Sequence, residues 1–560
     1  MNSKRERHMV PTGLSLGLMI SASAFLWGCG GSDAVVTAAP TVQADGLAVS
    51  KATCGTGDTP EPDLQGQVSA AARTAGFKGY NCNLQLIGQS RNDGGSWQHA
   101  FFTDKAGHQC SYYDTSSGTA GRRHMGVAVI DATDPTKPYR TTSLETTAMM
   151  DPWESLKVNE KRQMLAGVNA VNGNGGPEIE IYDLSGDCRY PQLLTSSKVG
   201  LADGTGQQLV APVQGHEGNW APDGLTYYAA NLNNGYIYPI DTSNPAKPKM
   251  LTKYVTAPGR VHGLNISDDG NRAYVAILGQ GSAAAPSATR PAGAPANNGL
   301  QILDTSEIQS RKVGGTIKVI STLVWDDGGG AQHAINAVIN GKKYVIHADE
   351  AGSGGNSAAG WQAACDAKLP AWQFARIIDI SDETKPAIVS KLMLEAYDPK
   401  NCSKVLPDLA GLGSFTYGAH YCSVDNRMNA TTLACGYFNS GIRVFDIRDP
   451  AKPKEIAYFN PAGTVTGSPG SNHYASNGSV ASPAGATGTN VISNAPNQIT
   501  SYKQNAWVSG GPDWCSAQVR LDAATGTLQT TCQDNGFLSF KFTNGVWPFP
   551  TSSTPPGMQN

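Results

Sequence analysis

The sequence predicts an all-β fold, a seven-bladed β-propeller that is closed by pairing an N-terminal strand with the C-terminal blade. Three observations support this prediction: a recurring strand-and-turn unit, a composition rich in turn-forming residues, and an isolated strand near the start of the repeats. The 560 residues include 64 glycines and 33 prolines. With few long helical patterns, this composition indicates many short strands joined by turns.

The recurring unit is an alternating strand that ends in Asp and is followed by a turn containing proline. Four clear copies are VAVIDATDPTKP (127–138), IYPIDTSNPAKP (237–248), ARIIDISDETKP (375–386) and IRVFDIRDPAKP (442–453). Weaker copies are IEIYDLSGDCRYP (179–191), LQILDTSEI (300–308) and FLSFKFTNG (537–545), the last without the Asp. An Asp side chain can accept a hydrogen bond from the backbone two residues on, and proline presets the turn. Seven such units, each with four antiparallel strands, predict seven propeller blades.

The first and last units indicate how the ring closes. The stretch LQLIG (84–88) is an isolated strand, and the last unit, near 515–545, lacks its fourth strand. A sheet edge left open is prone to pair with other chains. We therefore predict that 84–88 pairs with a strand between 530 and 545.

The repeat resembles that of the LVIVD-repeat family of bacterial β-propeller proteins, whose unit is an apolar strand, an Asp and a Pro-x-x-Pro turn. The resemblance covers roughly residues 80–548. It implies the propeller fold, and it does not imply an activity, because one fold hosts many functions.

The N-terminus resembles a bacterial lipoprotein signal. The basic start MNSKRERH is followed by the apolar run GLSLGLMISASAFLWG and by Cys29. Leu26 and Gly28 occupy the cleavage positions of that family, although Trp27 is bulkier than usual. The resemblance implies a lipoprotein signal over 1–28, a lipidated Cys29, an N-terminal extension or linker over 29–79, a propeller over 80–548 and a tail over 549–560. The alternative is plain signal cleavage with an unmodified cysteine.

This signal implies a protein of the cell envelope that contacts the membrane through a lipid anchor. Gly30 after the cysteine favours the outer membrane, by the same resemblance. The formal charge of −3, with 16% charged residues, excludes the electrostatic signature of a nucleic-acid binder. We therefore expect no nucleic-acid partner, and an envelope protein or a small molecule as the candidate ligand.

Ten cysteines remain besides Cys29, an even number that predicts disulfides in an oxidising compartment. The spacing pairs Cys422 with Cys435 and Cys515 with Cys532 in hairpins, and Cys365 with Cys402 across a long loop. The pairing of the other four stays open: Cys54, Cys82, Cys110 and Cys188.

The histidines occupy equivalent positions in several units. Four of them stand eight residues before a turn glycine: His99, His216, His262 and His333. His420 holds the same place in the sixth unit, Trp153 in the second, and Ala517 or Gln518 in the seventh. Because the first strand of a propeller blade is innermost, these histidines are predicted to surround the central channel near one mouth.

Other polar residues are predicted to reach the same mouth. His347 ends a second strand, with Asp349 and Glu350 beside it, and Glu217 follows His216. The loops that carry His124 and His473 open there as well, whereas His108 lies in a hairpin on the opposite face.

Three interpretations of this histidine ring remain open. The histidines could hydrogen-bond neighbouring strands, as in WD-type propellers. They could bind a transition metal such as copper, zinc, iron or nickel, with Glu217, Asp349 and Glu350 as ligands or bases. The mouth could also bind an organic ligand, with Arg260 as an anion contact and aromatic side chains as stacking surfaces. Those aromatic residues are Trp97, Trp153, Trp220, Tyr112, Tyr113, Tyr417 and Tyr437.

The corresponding functions are a cell-envelope binding or scaffold module and, as the alternative, a histidine-ligated metalloprotein, of which a metal-dependent oxidoreductase is one form. An enzyme that acts on an organic ligand is the third class left open. The sequence contains no HExxH, G-x-S-x-G or phosphate-loop motif. Propellers assemble sites from separate blades, so an enzyme is not excluded.

Overall fold

A computed structural model describes most of the predicted propeller. The described residues are 35–37, 48–92, 94–95, 97–114, 126–146, 148–149, 152, 154–168, 179–195, 216–232, 235–256, 260–281, 284, 293–409, 415–463 and 511–549. Several sequence predictions lie outside these residues: the signal segment 1–28, the lipidation site Cys29, Trp153, His124, His473 and tail residues 550–560.

Seven antiparallel sheets form the propeller, and each supplies one blade. In sheet order, blades one to three contain His99–Thr103, Gln109–Asp114, Val127–Asp131 and Tyr139–Leu144; Lys157–Asn159, Met164–Val168, Ile179–Asp183 and Gln192–Leu193; and Glu217–Trp220, Thr226–Asn231 and Tyr236–Asp241 followed by Lys249–Met250 and Tyr254–Val255. Blades four to six contain Arg260–Ile266, Arg272–Leu278, Asn298–Asp304 and Lys318–Trp325; Gly329–Ile339, Lys342–Ala351, Ala375–Asp379 and Ala387–Leu392; and Cys422–Val424, Thr432–Tyr437, Gly441–Asp446 and Lys454–Asn460. Blade seven contains Arg520–Asp522, Thr527–Cys532, Gly536–Phe542 and Leu84–Ser90.

The seventh blade is completed by the N-terminal strand. Leu84–Ser90 pairs antiparallel with Gly536–Phe542, with Leu84 opposite Phe542 and Ser90 opposite Phe537. This is the pairing that the sequence predicts. Two further strands lie at blade edges: Tyr80–Cys82 pairs with Lys454–Asn460, and Val35–Thr37 pairs in parallel with Lys318–Trp325.

Helices are short and lie in the connections. They are the α-helices Ala70–Thr74, Ser306–Gln309, Ala358–Asp366 and Cys402–Val405, and the 3₁₀ helices Glu395–Tyr397, Pro399–Asn401 and Leu406–Leu409. The described helices include none that is long and apolar enough to cross a bilayer.

The repeated Asp fixes the turn after the third strand in the blades that carry it. The Oδ1 atom of Asp131 accepts the backbone N–H of Thr133 at 2.9 Å, and Asp379 accepts that of Ser381 at 2.8 Å. The weaker copies do the same, since Asp183 accepts the N–H of Ser185 at 2.8 Å. The Asp therefore serves turn geometry in the units that contain it.

The hydrophobic core lies between consecutive blades. One cluster joins Val129 of blade one to Leu165 of blade two, and another joins Ile302 of blade four to Val345 of blade five. Because each blade buries both faces, the sheets hold the channel-facing strands rigidly.

Five disulfides are present, and the three predicted pairs are confirmed: Cys365–Cys402, Cys422–Cys435 and Cys515–Cys532. The four remaining cysteines pair as Cys54–Cys82 and Cys110–Cys188.

Residues 48–79, part of the predicted extension, lie against blades five and six. Val49 is buried in the core of these blades, and the Tyr417 hydroxyl donates to the Val68 carbonyl at 2.9 Å. Glu61 forms an ion pair with the buried Arg443 guanidinium, which also contacts Glu455. This segment is therefore an ordered layer of the propeller.

Candidate metal centre

The strand register places one residue of each blade at an equivalent point of the ring. In blade three the N–H of Ala221 donates to the Thr226 carbonyl, and His216 lies five residues before Ala221. Asp104, Ser267 and Asp425 occupy the position of Ala221 in their own blades. The residues five positions before them are His99, His262 and His420.

In the second blade the equivalent residue is Glu154, which corrects the alignment on Trp153. Asn159 pairs with Met164 across a four-residue turn, as Ala221 does with Thr226, and Glu154 lies five residues before Asn159. This turn has no glycine, and Gln163 adopts the left-handed conformation with φ 52°. An alignment on the turn glycine therefore has no reference point in this blade.

The same count in the seventh blade leads to Ala517, because Asp522 pairs with Thr527. The equivalent position in that blade carries no polar side chain.

Two of the histidines lie at β-bulges. The register between the first two strands shifts between Val261 and Leu264 in blade four, and between Ala331 and His333 in blade five. A bulge changes the direction of a side chain relative to the regular pleat. His262 and His333 can therefore point differently from an ordinary strand residue.

Gly263 makes room for a carboxylate. A Cβ atom at this position would overlap the side chain of Glu217 and crowd the Gln332 carbonyl. The His-Gly pair in blade four thus accommodates the His-Glu pair of blade three.

Three side chains converge on a first group of ligand atoms. The Nε2 atoms of His216 and His262 are 3.0 Å apart, and they lie 3.2 and 3.5 Å from Oε2 of Glu154. We call His216, His262 and Glu154 the first triad.

A second triad consists of Glu154, Glu350 and His420. The Nε2 atom of His420 lies 2.9 Å from Oε1 of Glu154 and 3.7 Å from Oε2 of Glu350. Oε1 of Glu350 lies 3.3 Å from Nε2 of His262, which links the two triads. Within each triad the ligand atoms lie within 4.8 Å of one another.

These distances fit a transition-metal site. With metal–ligand bonds of about 2.1 Å, neighbouring ligand atoms are about 3.0 Å apart in octahedral and about 3.4 Å apart in tetrahedral geometry. The first triad has separations of 3.0, 3.2 and 3.5 Å. Its imidazole and carboxylate donors suit zinc, iron or copper.

The cluster is buried except on one side. The side chains of Glu154, His262 and His420 are fully buried, whereas those of His216 and Glu350 are 17% and 15% exposed. His216 and Glu350 are therefore the two cluster residues in contact with solvent.

Hydrogen bonds behind the ligands orient the imidazole rings. The Nδ1 atom of His420 lies 2.9 Å from the Ser516 carbonyl, so Nε2 faces Glu154. A bond of this kind fixes the orientation of a metal-binding histidine.

The carboxylate of Glu217 lies close to the Nδ1 atoms of two histidines. Its Oε1 lies 3.0 Å from Nδ1 of His333, and its Oε2 lies 3.7 Å from Nδ1 of His262. Lys157 contributes a buried amine 3.9 Å from the same carboxylate. Glu217 is thus placed to orient two imidazoles, and neither triad includes it.

Electrostatic interactions in the cluster oppose the effect of burial. Burial raises the pKa of Glu154, but His420 and His262 outweigh it and hold that pKa well below its usual range. Burial lowers the pKa of His420, but Glu154 and Glu350 outweigh it and raise that pKa to about 9. Without a metal, the carboxylates are therefore ionised at neutral pH and His420 carries a proton.

Five residues of the predicted site lie outside both triads: Glu217 and His333, which contact each other, and His99, His347 and Asp349. The Nδ1 of His99 lies 3.1 Å from the Gln518 carbonyl, which is the strand contact expected of a structural histidine. His347 and Asp349 face each other at 3.6 Å, and Asp349 accepts the Trp325 indole N–H and pairs with Arg376.

His108 lies in the hairpin between the first two strands of blade one, as the sequence predicts. Its Nδ1 is 2.8 Å from Oδ2 of Asp104.

The aromatic residues proposed to bind an organic ligand serve mainly as core. The hydroxyl of Tyr112 donates to the Cys188 carbonyl, the indole of Trp220 donates to the Lys157 carbonyl, and Tyr437 donates to the Leu392 carbonyl. Trp97 is also buried, in a core cluster with Phe438 and Trp514, and its ring centroid lies 5.2 Å from that of His420.

Comparisons with known proteins identify neither a family nor an activity. No protein-family model matches the chain, and no curated protein matches it. Among solved structures, the chain is similar to one described as Kuenenia stuttgartiensis hydrazine synthase, at 13% identity and a TM-score of 0.43. The match covers 81% of this chain and 97% of that chain, and a similarity at this level carries no argument about activity.

Proposed function

We propose that this chain is a metal-binding β-propeller of the bacterial cell envelope, with its metal centre at His216, His262, His420, Glu154 and Glu350. The first triad is the observation that supports this proposal. Two imidazole nitrogens and a carboxylate oxygen lie at separations of 3.0–3.5 Å in a largely buried site. Two imidazole nitrogens and a carboxylate oxygen at these separations are a donor set that a divalent transition-metal ion would bind.

The proposed metal is zinc, iron or copper. The triads contain nitrogen and oxygen donors and no sulfur, which excludes the thiolate sites typical of structural zinc ribbons. When bound, the metal supplies Lewis acidity or, for iron and copper, redox chemistry. The protein residues hold it rigidly, and Glu217 orients His262 and His333 through their Nδ1 atoms.

A metal-dependent oxidoreductase is the second candidate. Two histidines and one carboxylate are the ligand set of many non-haem iron(II) oxygenases, and His216, His262 and Glu154 provide it. The exposure of His216 and Glu350 leaves a route for a substrate.

The proposed location rests on the N-terminal resemblance and on the disulfides. Five disulfides favour an oxidising compartment. We propose an outer-membrane lipoprotein anchored through Cys29, whose propeller binds a metal and presents its surface to an envelope partner. Labelling of the full precursor with a radioactive fatty acid tests the anchor, because Cys29→Ser should abolish the label.

Metal analysis of protein purified without a nickel column tests the central proposal. We expect at least one equivalent of a transition metal after purification from metal-supplemented cells. The variant carrying His216→Ala and His262→Ala should lose it. His99→Gln is the matched control, since His99 contacts the Gln518 carbonyl and lies outside both triads. Metal-free wild-type protein that binds none of zinc, iron and copper on titration would refute the proposal.

A further inference from the structure

The two carboxylates of the cluster each face two different sets of imidazoles. Oε2 of Glu154 faces His216 and His262, whereas its Oε1 faces His420. Glu350 repeats the arrangement, since its Oε1 faces His262 and its Oε2 faces His420. From this we infer that the centre holds two metal ions, with Glu154 and Glu350 bridging them. The inference rests on the proposed metal-binding function.

The ligand atoms divide into two coordination positions. An ion in the first triad binds His216, His262 and Oε2 of Glu154. His420 meets Glu154 through the other oxygen, at 2.9 Å, and thus serves a separate position. A carboxylate that gives one oxygen to each of two ions holds them about 3.5–4 Å apart, the spacing of two-metal sites in hydrolases.

Both positions have their ligands in place. Both oxygens of Glu154 and Nε2 of His420 are buried and have no hydrogen bond of normal geometry among the described residues. Their contacts are the ion-pair distances within the triads. A pair of ions would complete the coordination of these atoms and of Glu350.

The two positions differ in how tightly they bind a metal ion. The first has two imidazoles, Oε2 of Glu154 and Oε1 of Glu350, whereas the second has one imidazole and the other two carboxylate oxygens. Nitrogen ligands favour zinc, iron and copper more than oxygen ligands do. The first ion therefore binds more tightly, and the second keeps open positions for water.

Stoichiometry tests the inference on the full chain. We would demetallate the protein with a chelator, remove the chelator, and titrate it with Zn²⁺ by calorimetry, with elemental analysis after dialysis. Two equivalents in two steps support the inference. One equivalent in wild type overturns the two-ion inference and leaves the proposed function intact, whereas no equivalent overturns both.

Variants distinguish the two positions. His420→Ala should reduce binding from two equivalents to one, and the remaining ion should bind within about threefold of the wild-type first step. His99→Gln should keep two equivalents. Circular dichroism of each variant checks the fold. If His420→Ala is folded and still binds two ions, the assignment of the second position is wrong.

The bridge itself has a spectroscopic signature that does not depend on the folding of any variant. Wild-type protein loaded with two equivalents of Mn²⁺ should show the electron paramagnetic resonance of an exchange-coupled pair. A spectrum made only of isolated six-line ions, at two equivalents bound, would overturn the bridging role of Glu154 and Glu350.

Discussion

Oε1 of Glu154 lies 2.9 Å from Nε2 of His420, and both side chains are fully buried. The two residues belong to the second and sixth blades, which are more than 260 positions apart in the chain. No local motif records their contact. It arises because a propeller brings the equivalent residue of each blade to a common centre.

Removing the Glu154 charge should destabilise the metal-free protein. Glu154→Gln removes the carboxylate nearest to His420 and one of the two nearest to His262. Breaking a buried ion pair on one side costs about 3–5 kcal/mol. We expect the free energy of unfolding to fall by an amount near the lower end of this range, because Glu350 remains close to both histidines. Urea unfolding of chelator-treated protein at pH 7 measures it, and a loss below about 1 kcal/mol would contradict the assigned contact.

Gly263→Ala should weaken metal binding from outside the ligand set. The added methyl group displaces Glu217, which orients His333 and stands near His262. Loss of such an orienting carboxylate lowers metal affinity about 10- to 100-fold. Gly186→Ala is the matched control, since its Cβ would meet no atom within 4 Å. Equal affinities of the two variants would show that Glu217 has no orienting role.

Acid should destabilise the protein through His99. Burial lowers the pKa of His99 from 6.5 to about 3, with the Gln518 carbonyl partly opposing that shift. The unfolded chain therefore takes up a proton near pH 6.5 that the folded chain refuses until about pH 3, so stability falls as the pH drops through this window. We expect the titration of His99 to lower the free energy of unfolding by ~3 kcal/mol between pH 7 and pH 4.

The variant His99→Gln isolates this effect. It should lose ~3 kcal/mol less than wild type over the same pH interval, as measured by urea unfolding at pH 7 and pH 4. Identical pH slopes for the two proteins would exclude His99 as the titrating group.

Metal removal should lower the thermal stability of the wild type. An ion that binds only the folded state at a thousandfold excess over its Kd contributes about 4 kcal/mol. We expect a chelator to lower Tm and added Zn²⁺ to restore it in calorimetric scans. The variant with His216→Ala and His262→Ala should show a much smaller response, and a wild-type Tm unaffected by chelator would count against a resident metal.

The closing strand offers a test of the fold. Leu84 is fully buried against the seventh blade, so Leu84→Ala should cost about 2–4 kcal/mol of unfolding free energy. Leu86 in the same strand is 37% exposed, and Leu86→Ala should cost less than about 1 kcal/mol. Similar losses for the two variants would contradict the observed register.

The sequence contains enough information to predict the blades, because the Asp and proline of each turn recur in register. It also predicts four of the five cluster residues as candidates: His216, His262, His420 and Glu350. It misses Glu154, since the turn of that blade places Gln163 where other units have a glycine. Once the strand pairing is known, counting back from the turn identifies Glu154.

The pair Asp349 and Glu350 shows another limit of sequence reasoning. Adjacent residues of a strand point to opposite faces, so only one of the two can face the cluster. The alternation does not say which one. In the structure Glu350 faces His262, whereas Asp349 lies with His347 and Arg376 on the other face.

The strand Leu84–Ser90 and its partner Gly536–Phe542 lie near opposite ends of the chain. A ribosome therefore makes one of these strands among the first of the propeller and the other last. Until the second is made, the ring is an open arc, and the residues of blades two to six have no fixed common centre. A metal centre of the proposed kind would therefore assemble only after both of these strands have been made.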